Sequence, residues 1–459
     1  MESLLRKFSD FKSVELRRHS NSYFNIMVVN GKPAGIYRWV KSGYSVRVFD
    51  GNSLLFSSSP TLEGLDVKKV KFRSWEKGIS EDKRESGEYA VAEKIKLDDV
   101  SVEEKVKFLL DLSKSVYENK EIKSTVVSAS FYYTESVEEK EIMFEDGSRV
   151  YGKVPRVNLS FSITLKNGDR TATIANSDFG GSGGFELVKN WNLEEFIHDT
   201  LLSVDKVLER GKSVTPGKKD VVLSNQLAGI IAHESVGHPF EADRILGREG
   251  AQAGLSYLVG KNFGERIGSE AVTVIDDPTI YGSSGYYLID DEGVKARPKY
   301  LIKDGVINEL LQDRFSAYKF GVSSNGSARA SAYDREPLVR MSNTFFKPGN
   351  YKFEELIEDI KEGVYFKSYM EWNIDDLRVG ERYVGLEAYE IKNGEIGDPL
   401  LFPVLETTTF ELLSSIDAVD NTLSFYYGTC GKGDPDQGIP VWFGGPNMRA
   451  RNVMVKVRE

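Results

Sequence analysis

Cysteine is nearly absent from this chain: Cys430 is the single one among 459 residues. An internal disulfide is thereby excluded, and the composition fits a reducing cytoplasm. Histidine is almost as scarce, with four residues. No apolar run approaches the roughly 18–20 residues that a bilayer span requires. The opening stretch, MESLLRKFSDFKSVELRRHS, carries charges throughout and lacks an apolar segment, so it does not read as a signal peptide. A basic surplus is missing as well. The net charge of −10 and the pI near 5.3 argue against nucleic acid or an anionic membrane as the main partner.

What is present is the makeup of a soluble globular protein, 40% hydrophobic and 28% charged. The length exceeds one ordinary core and implies two or three domains. The segment GKSVTPGKK, residues 211–219, has the Gly, Pro, Ser and Lys content of a linker. A boundary there gives a mixed α/β N-terminal domain, 1–215, and a β-rich C-terminal domain, 216–459, an α+β chain overall.

In the first domain, residues 12–57 read as antiparallel strands turning at Asn30-Gly31, Ser42-Gly43 and Asp50-Gly51. The stretch 61–97 is polar and mixed, with a helix expected at its start. A helix is expected over 102–118, where Ser101 and Glu104 form a capping box, and another over 193–209, capped by Asn192 and Glu195. Alternating strands between them turn at Asp146-Gly147 and Asn167-Gly168. The second domain holds strand-like runs such as AVTVIDD, GYYLIDDEG and PVWFGG, with one helix over about 353–362.

Two of the four histidines lie in HESVGH, residues 233–238. A short strand over 220–223, a Ser224 cap and a helix through Leu227, Ile230 and Ile231 lead into it. Zinc-protease helices place their histidines four residues apart, about 40° around the axis; five residues apart is about 140°. For both imidazoles to reach one ion, the helix must either bulge locally or stop between them. Gly237 and Pro239 favour the second, which predicts extended or left-handed backbone at His238. A catalytic zinc site has three protein ligands, so a third is missing. Cys430, in YYGTCGKGDP, is one candidate; Glu241 and Asp243 are rivals, either as ligands or as partners of an imidazole N–H. Glu234 is placed to act as general base. A closed structural zinc site in a non-catalytic peptide-binding or assembly subunit is the alternative, and a Cys430 nucleophile activated by histidine is a third.

Together, IIAHESVGHPFEAD, AVTVIDDPTIYGSSGYYLIDDEG, GVINELLQDRFSAYKFG, VRMSNTFFKPG and GTCGKGDPDQGIPVWFGGPNMRARNVMV resemble the TldD/PmbA family of metallopeptidases, in its TldD branch. The likeness runs over nearly all of 220–459. It implies zinc held by His233, His238 and Cys430, Glu234 as the catalytic acid/base, and a barrel-like C-terminal domain. It also implies unfolded or short peptides as substrate, and a homodimer or a heterodimer with a paralogue that lacks the ligands. The segment SDFGGSGGF, 177–185, departs from the family, where a comparable Gly-rich segment often carries an arginine.

Gly180–Gly184 lacks the Lys-Ser/Thr of a phosphate loop and reads as a flexible loop or a lip that contacts peptide backbone. Arg329 and Arg340 suit either a peptide carboxylate or structural ion pairs. His198 avoids the core face of its helix, and His19 is assigned no role.

Overall fold

The computed structural model describes residues 2–67, 78–250 and 254–458. The first half is built on a seven-stranded sheet of β1 (Ser13–Val29), β2 (Lys32–Phe49), β3 (Leu54–Ser59), β4 (Gly87–Ala90), β5 (Thr125–Phe144), β6 (Arg149–Asn167) and β7 (Arg170–Ser182). The order is β3-β2-β1-β5-β6-β4, with β7 also paired to β6. Asn30 and Gly31, at φ 49° and 74°, close the β1–β2 hairpin as an Asn-Gly pair should. Ser42-Gly43 is not a turn: β2 runs through it, and a Cβ on Gly43 would lie 2.5 Å from the Tyr333 ring. Glycine there makes room for a side chain from the other half of the chain.

Helices Val102–Glu118 and Leu193–Arg210 cover one face of this sheet. Their apolar stripes, including Leu109, Leu112, Leu201 and Val204, pack on Phe131, Leu159 and Phe161. The Ser101–Glu104 capping box forms as expected, whereas Asn192 adopts left-handed backbone and its side chain caps nothing. At the start of the polar stretch only a short 3-10 turn forms, Leu62–Gly64; residues 68–77 lie outside the described residues.

The second half contains a strongly curled half-barrel sheet of nine strands. Its centre is β8 (Gly217–Leu223), parallel to Glu362–Phe366 on one side and antiparallel to Met448–Lys456 on the other. The end of the expected linker is therefore strand, and Lys212 bridges to Leu400. A six-stranded sheet includes Val274–Asp276, Asn343–Phe346, Ile439–Gly445 and Ser424–Cys430. Between the two sheets lies helix Asn225–Ile231, which buries Leu227, Ile230 and Ile231 against Leu223, Val441 and Phe443. GYYLIDDEG forms no strand: the Asp290 carboxylate accepts the N–H groups of Glu292, Val294 and Ala328, closing a turn instead. The helix expected over 353–362 stops at Ile357.

Candidate metal centre

The Ser224 hydroxyl accepts the Leu227 N–H and starts the helix that carries the histidines. The expected break at Gly237 does not occur. Ala232–Gly237 is a π-helical turn, closed by the His238 N–H donating to the His233 carbonyl at 3.1 Å. His238 keeps helical backbone, φ −61° and ψ −47°, in place of the extended or left-handed conformation expected. An i→i+5 turn takes up one extra residue, so positions five apart face the same way. The two imidazole centroids are 4.9 Å apart. The local bulge, the alternative to a stop, is thus what forms, even though Pro239 disfavours helix. The Ser235 carbonyl, which a proline four residues later cannot bond, accepts the Tyr257 hydroxyl at 2.7 Å. Gly237 is required by crowding rather than by dihedrals, since a Cβ would collide with the buried Met341 Sδ.

Cys430 ends the strand Ser424–Cys430, paired with Ile439. The donor atoms of His233, His238 and Cys430 lie within 4.8 Å of one another, and all three residues are buried. Cys430 Sγ is 3.6 Å from His238 Nε2. Zn–S and Zn–N bonds at tetrahedral angles separate such donors by roughly 3.5 Å, so the spacing fits that ion. The buried His233 Nδ1 finds no hydrogen-bond partner among the described residues. Burial pushes the Cys430 thiol up, but His238 and the Arg340 guanidinium outweigh it and bring it down to about 7.

The rival carboxylates serve other groups. Glu241 Oε2 is 3.1 Å from His238 Nδ1, 2.6 Å from Arg244 Nε and 3.4 Å from Lys432 Nζ. Arg244 Nη2 also lies 3.0 Å from His238 Nδ1. Arginine only donates, so Arg244 suits an unprotonated Nδ1; a metal bound through Nε2 would instead put the ring proton on Nδ1. Glu241 then accepts it, and Arg244 balances the carboxylate. Asp243 pairs with Lys432 at 2.7 Å, and Lys432 also donates to the Val339 carbonyl. Lys432 is a neighbour of the candidate site that sequence reasoning missed; its place in the GTCGK run, two residues after the cysteine, is the signal that could have found it.

Glu234 is buried and ion-paired to Arg378. Burial favours its neutral form, but His238, His233 and Arg378 outweigh burial and hold the carboxyl below its usual range. Arg378 adopts φ 63°, and its carbonyl accepts the Thr409 hydroxyl at 2.7 Å. Behind this pair stands Glu381, lifted to about 7 by burial against the hydrogen bonds of Thr409 and Tyr383. No spacing in the sequence marks Arg378 or Glu381.

Arg340 is buried and donates to the carbonyls of Cys430 and Gln437. Arg329 donates to those of Met341 and Pro440. Both clamp backbone around the metal-site strands rather than pairing with carboxylates. Residues 180–182 are strand, not loop: Gly180 and Gly181 pair with Asn158 and Val157 at the end of β7. Trp442 Nε1 donates to the Gly180 carbonyl, and a Cβ there would meet Tyr427, on the strand that carries Cys430. His198 is half-exposed beside Asn119, as expected, whereas His19 is fully buried against Glu138.

Models of the PmbA/TldA metallopeptidases match the chain in three parts: domain 1 over residues 14–71, the central domain over 95–212 and the C-terminal domain over 216–457. The chain belongs to this family. A metalloprotease of Methanothermobacter thermautotrophicus is 36% identical over 72% of this chain and 70% of its own length. A metalloprotease of Methanocaldococcus jannaschii is 32% identical over 92% of both chains. The crystal structure of TldE from Thermococcus kodakarensis has the same fold, with a TM-score of 0.73 at 17% identity over 99% of each chain. Membership agrees with the likeness read from HESVGH and GTCGKGD. Among the described residues no helix is long and apolar enough to cross a membrane.

Proposed function

We propose that this chain is a zinc-dependent peptidase acting on short or unfolded peptides, with His233, His238 and Cys430 as ligands and Glu234 as general base. The observation that carries the reading is the convergence of three buried donors from two distant segments, with a carboxylate on the residue beside the first. Two imidazoles and a thiolate suit zinc better than harder divalent ions. A bound zinc ion would supply Lewis acidity toward a peptide carbonyl and toward water. Glu234, kept ionised by its surroundings, takes a proton from the attacking water and passes it to the leaving amine. Arg378 fixes the carboxylate's position until substrate enters.

Three protein donors leave a position open for substrate, whereas a structural site would be closed by a fourth. Glu241 and Asp243, the acids suited to that closure, are engaged with His238 Nδ1 and Lys432. Glu234→Gln should abolish peptide hydrolysis while zinc stays near one per chain; hydrolysis that survives the change removes the mechanism. Inhibition by a chelator, reversed by zinc, separates this reading from a cysteine nucleophile.

Pairing with a second copy or with a ligand-lacking paralogue belongs to the same proposal. Exposed Ile36, Tyr37, Trp39 and Val40 along β2 support it. Light scattering on the chain alone and mixed with such a paralogue tests it; a monomer in both samples would remove it.

A further inference from the structure

A cavity of about 320 Å³ is lined by residues from both halves of the chain. Asp178 of β7, Gln226 of the histidine-bearing helix, Lys367, Glu387 and the rings of Tyr369 and Tyr426 line it. Its charges do not balance. Lys367 Nζ is held by Glu387 at 2.7 Å, and the Ser368 hydroxyl also donates to that carboxylate. Asp178 has only amide donors, Gln226 Nε2 at 2.6 Å and Asn176 Nδ2 at 2.7 Å, both on Oδ2. No cationic side chain pairs with Asp178 among the described residues. Burial accordingly lifts its carboxyl to about 6, against those two hydrogen bonds. Asp199 adds a further negative charge to the lining.

The cavity's position relates it to the cleavage site. Gln226 precedes His233 by seven residues in one helix, which is about 10 Å along the axis. Tyr369 lines the cavity, and its hydroxyl is near enough to feel the charges of both Asp178 and Glu234. An extended peptide covers about 10 Å in three residues. We propose that this cavity is a subsite for a positively charged group of the peptide, an ammonium set on Asp178 among the tyrosine rings, about three residues from the bond that is cut. Carboxylate and aromatic faces together are what a desolvated ammonium needs. The α-ammonium and a lysine side chain present the same chemistry.

The inference rests on the peptidase reading, so its test is binding rather than cleavage. The host is zinc-loaded Glu234→Gln protein, and the probes are Lys-Ala-Ala-Ala and norleucine-Ala-Ala-Ala with a C-terminal fluorophore, each free and N-acetylated. Anisotropy should show at least one ammonium-bearing probe binding on the order of tenfold more tightly than acetyl-norleucine-Ala-Ala-Ala. Acetylation removes that preference if the α-ammonium is the ligand, and norleucine removes it if the side chain is. Adding Asp178→Asn should abolish the preference with the melting temperature unchanged, and Asp178→Glu should keep part of it. Equal binding of all four probes, no binding of any, or a preference that survives Asp178→Asn overturns the proposal. A preference found in a protein that cleaves nothing leaves the subsite standing and removes the peptidase.

Discussion

Replacing Glu241 with glutamine tests the metal centre through a residue that is not a proposed ligand. The substitution keeps the shape and an oxygen acceptor but removes the charge that orients His238. In the present structure Glu241 Oε2 lies 3.1 Å from Nδ1, and Arg244 and Lys432 both lean on the same carboxylate. Loss of such a partner typically weakens metal binding 10–100-fold, about 1.4–2.7 kcal/mol. The glutamine can also present its NH2 to Nδ1, which would pull the ring toward the wrong tautomer. Zinc affinity measured by competition with a chromophoric chelator reads the effect directly. Asp243→Asn is the control: it removes an equally buried charge two residues away that pairs with Lys432 and touches neither imidazole. Glu241→Gln should fall into the 10–100-fold window and Asp243→Asn should stay within a few-fold of wild type. Equal zinc affinity in Glu241→Gln and wild type would refute the assignment of Nε2 as the metal-facing nitrogen.

Gly237→Ala should cost about 1–3 kcal/mol in chemical denaturation, because its Cβ overpacks against Met341, and pairing it with Met341→Ala should recover part of that loss. A single mutant as stable as wild type would mean that the π turn is less crowded than described. His19 gives a pH dependence. Burial, with Lys140 next, lowers its pKa from 6.5 to about 4 in the folded chain. The unfolded chain therefore binds the extra proton first, and stability is lost as pH falls from about 6.5 to 4, by about 3 kcal/mol in all. His19→Gln should flatten that part of the stability curve, and parallel curves for the two proteins would count against it. Lys432→Met should lower stability, since it leaves Asp243 buried without its cation, and lower zinc affinity, since it also removes a cation 3.4 Å from the Glu241 carboxylate. Unchanged affinity in that variant would separate the loop's charge network from the metal.

Local patterns carried the first half of the fold because its signals are short-range. Asn30-Gly31, Asp146-Gly147 and the Ser101–Glu104 box each act within four residues, and each forms where the sequence places it. Ser42-Gly43 misled for the complementary reason: its glycine answers to Tyr333, nearly three hundred positions away, which no local rule can see. GYYLIDDEG failed in the same manner. It read as a strand-like run, but Asp290 and Asp291 spend their carboxylates on backbone and on Arg17 and Lys140 from the other half. The scarcity of histidine and cysteine made His233, His238 and Cys430 conspicuous. Arg378, Glu381 and Lys432 belong to abundant types, and their roles arise only from burial beside the site.

The π turn shows why residue type was legible at the centre while backbone was not. Local rules placed a stop at Gly237-Pro239, and in isolation the chain would favour it. Three tertiary contacts reverse that preference: Tyr257 takes the Ser235 carbonyl, Met341 fills the space over Gly237, and Val236 and Phe240 bury in the core. A widened turn has poorer backbone geometry than an α-helix, so something else must hold it. Here that support is the packed layer between two sheets, and the outcome is two imidazoles on one face opposite a thiol from the far end of the chain. The place where local preference gives way is the place where the donors meet, which is where conflict between local and global order is expected to mark function.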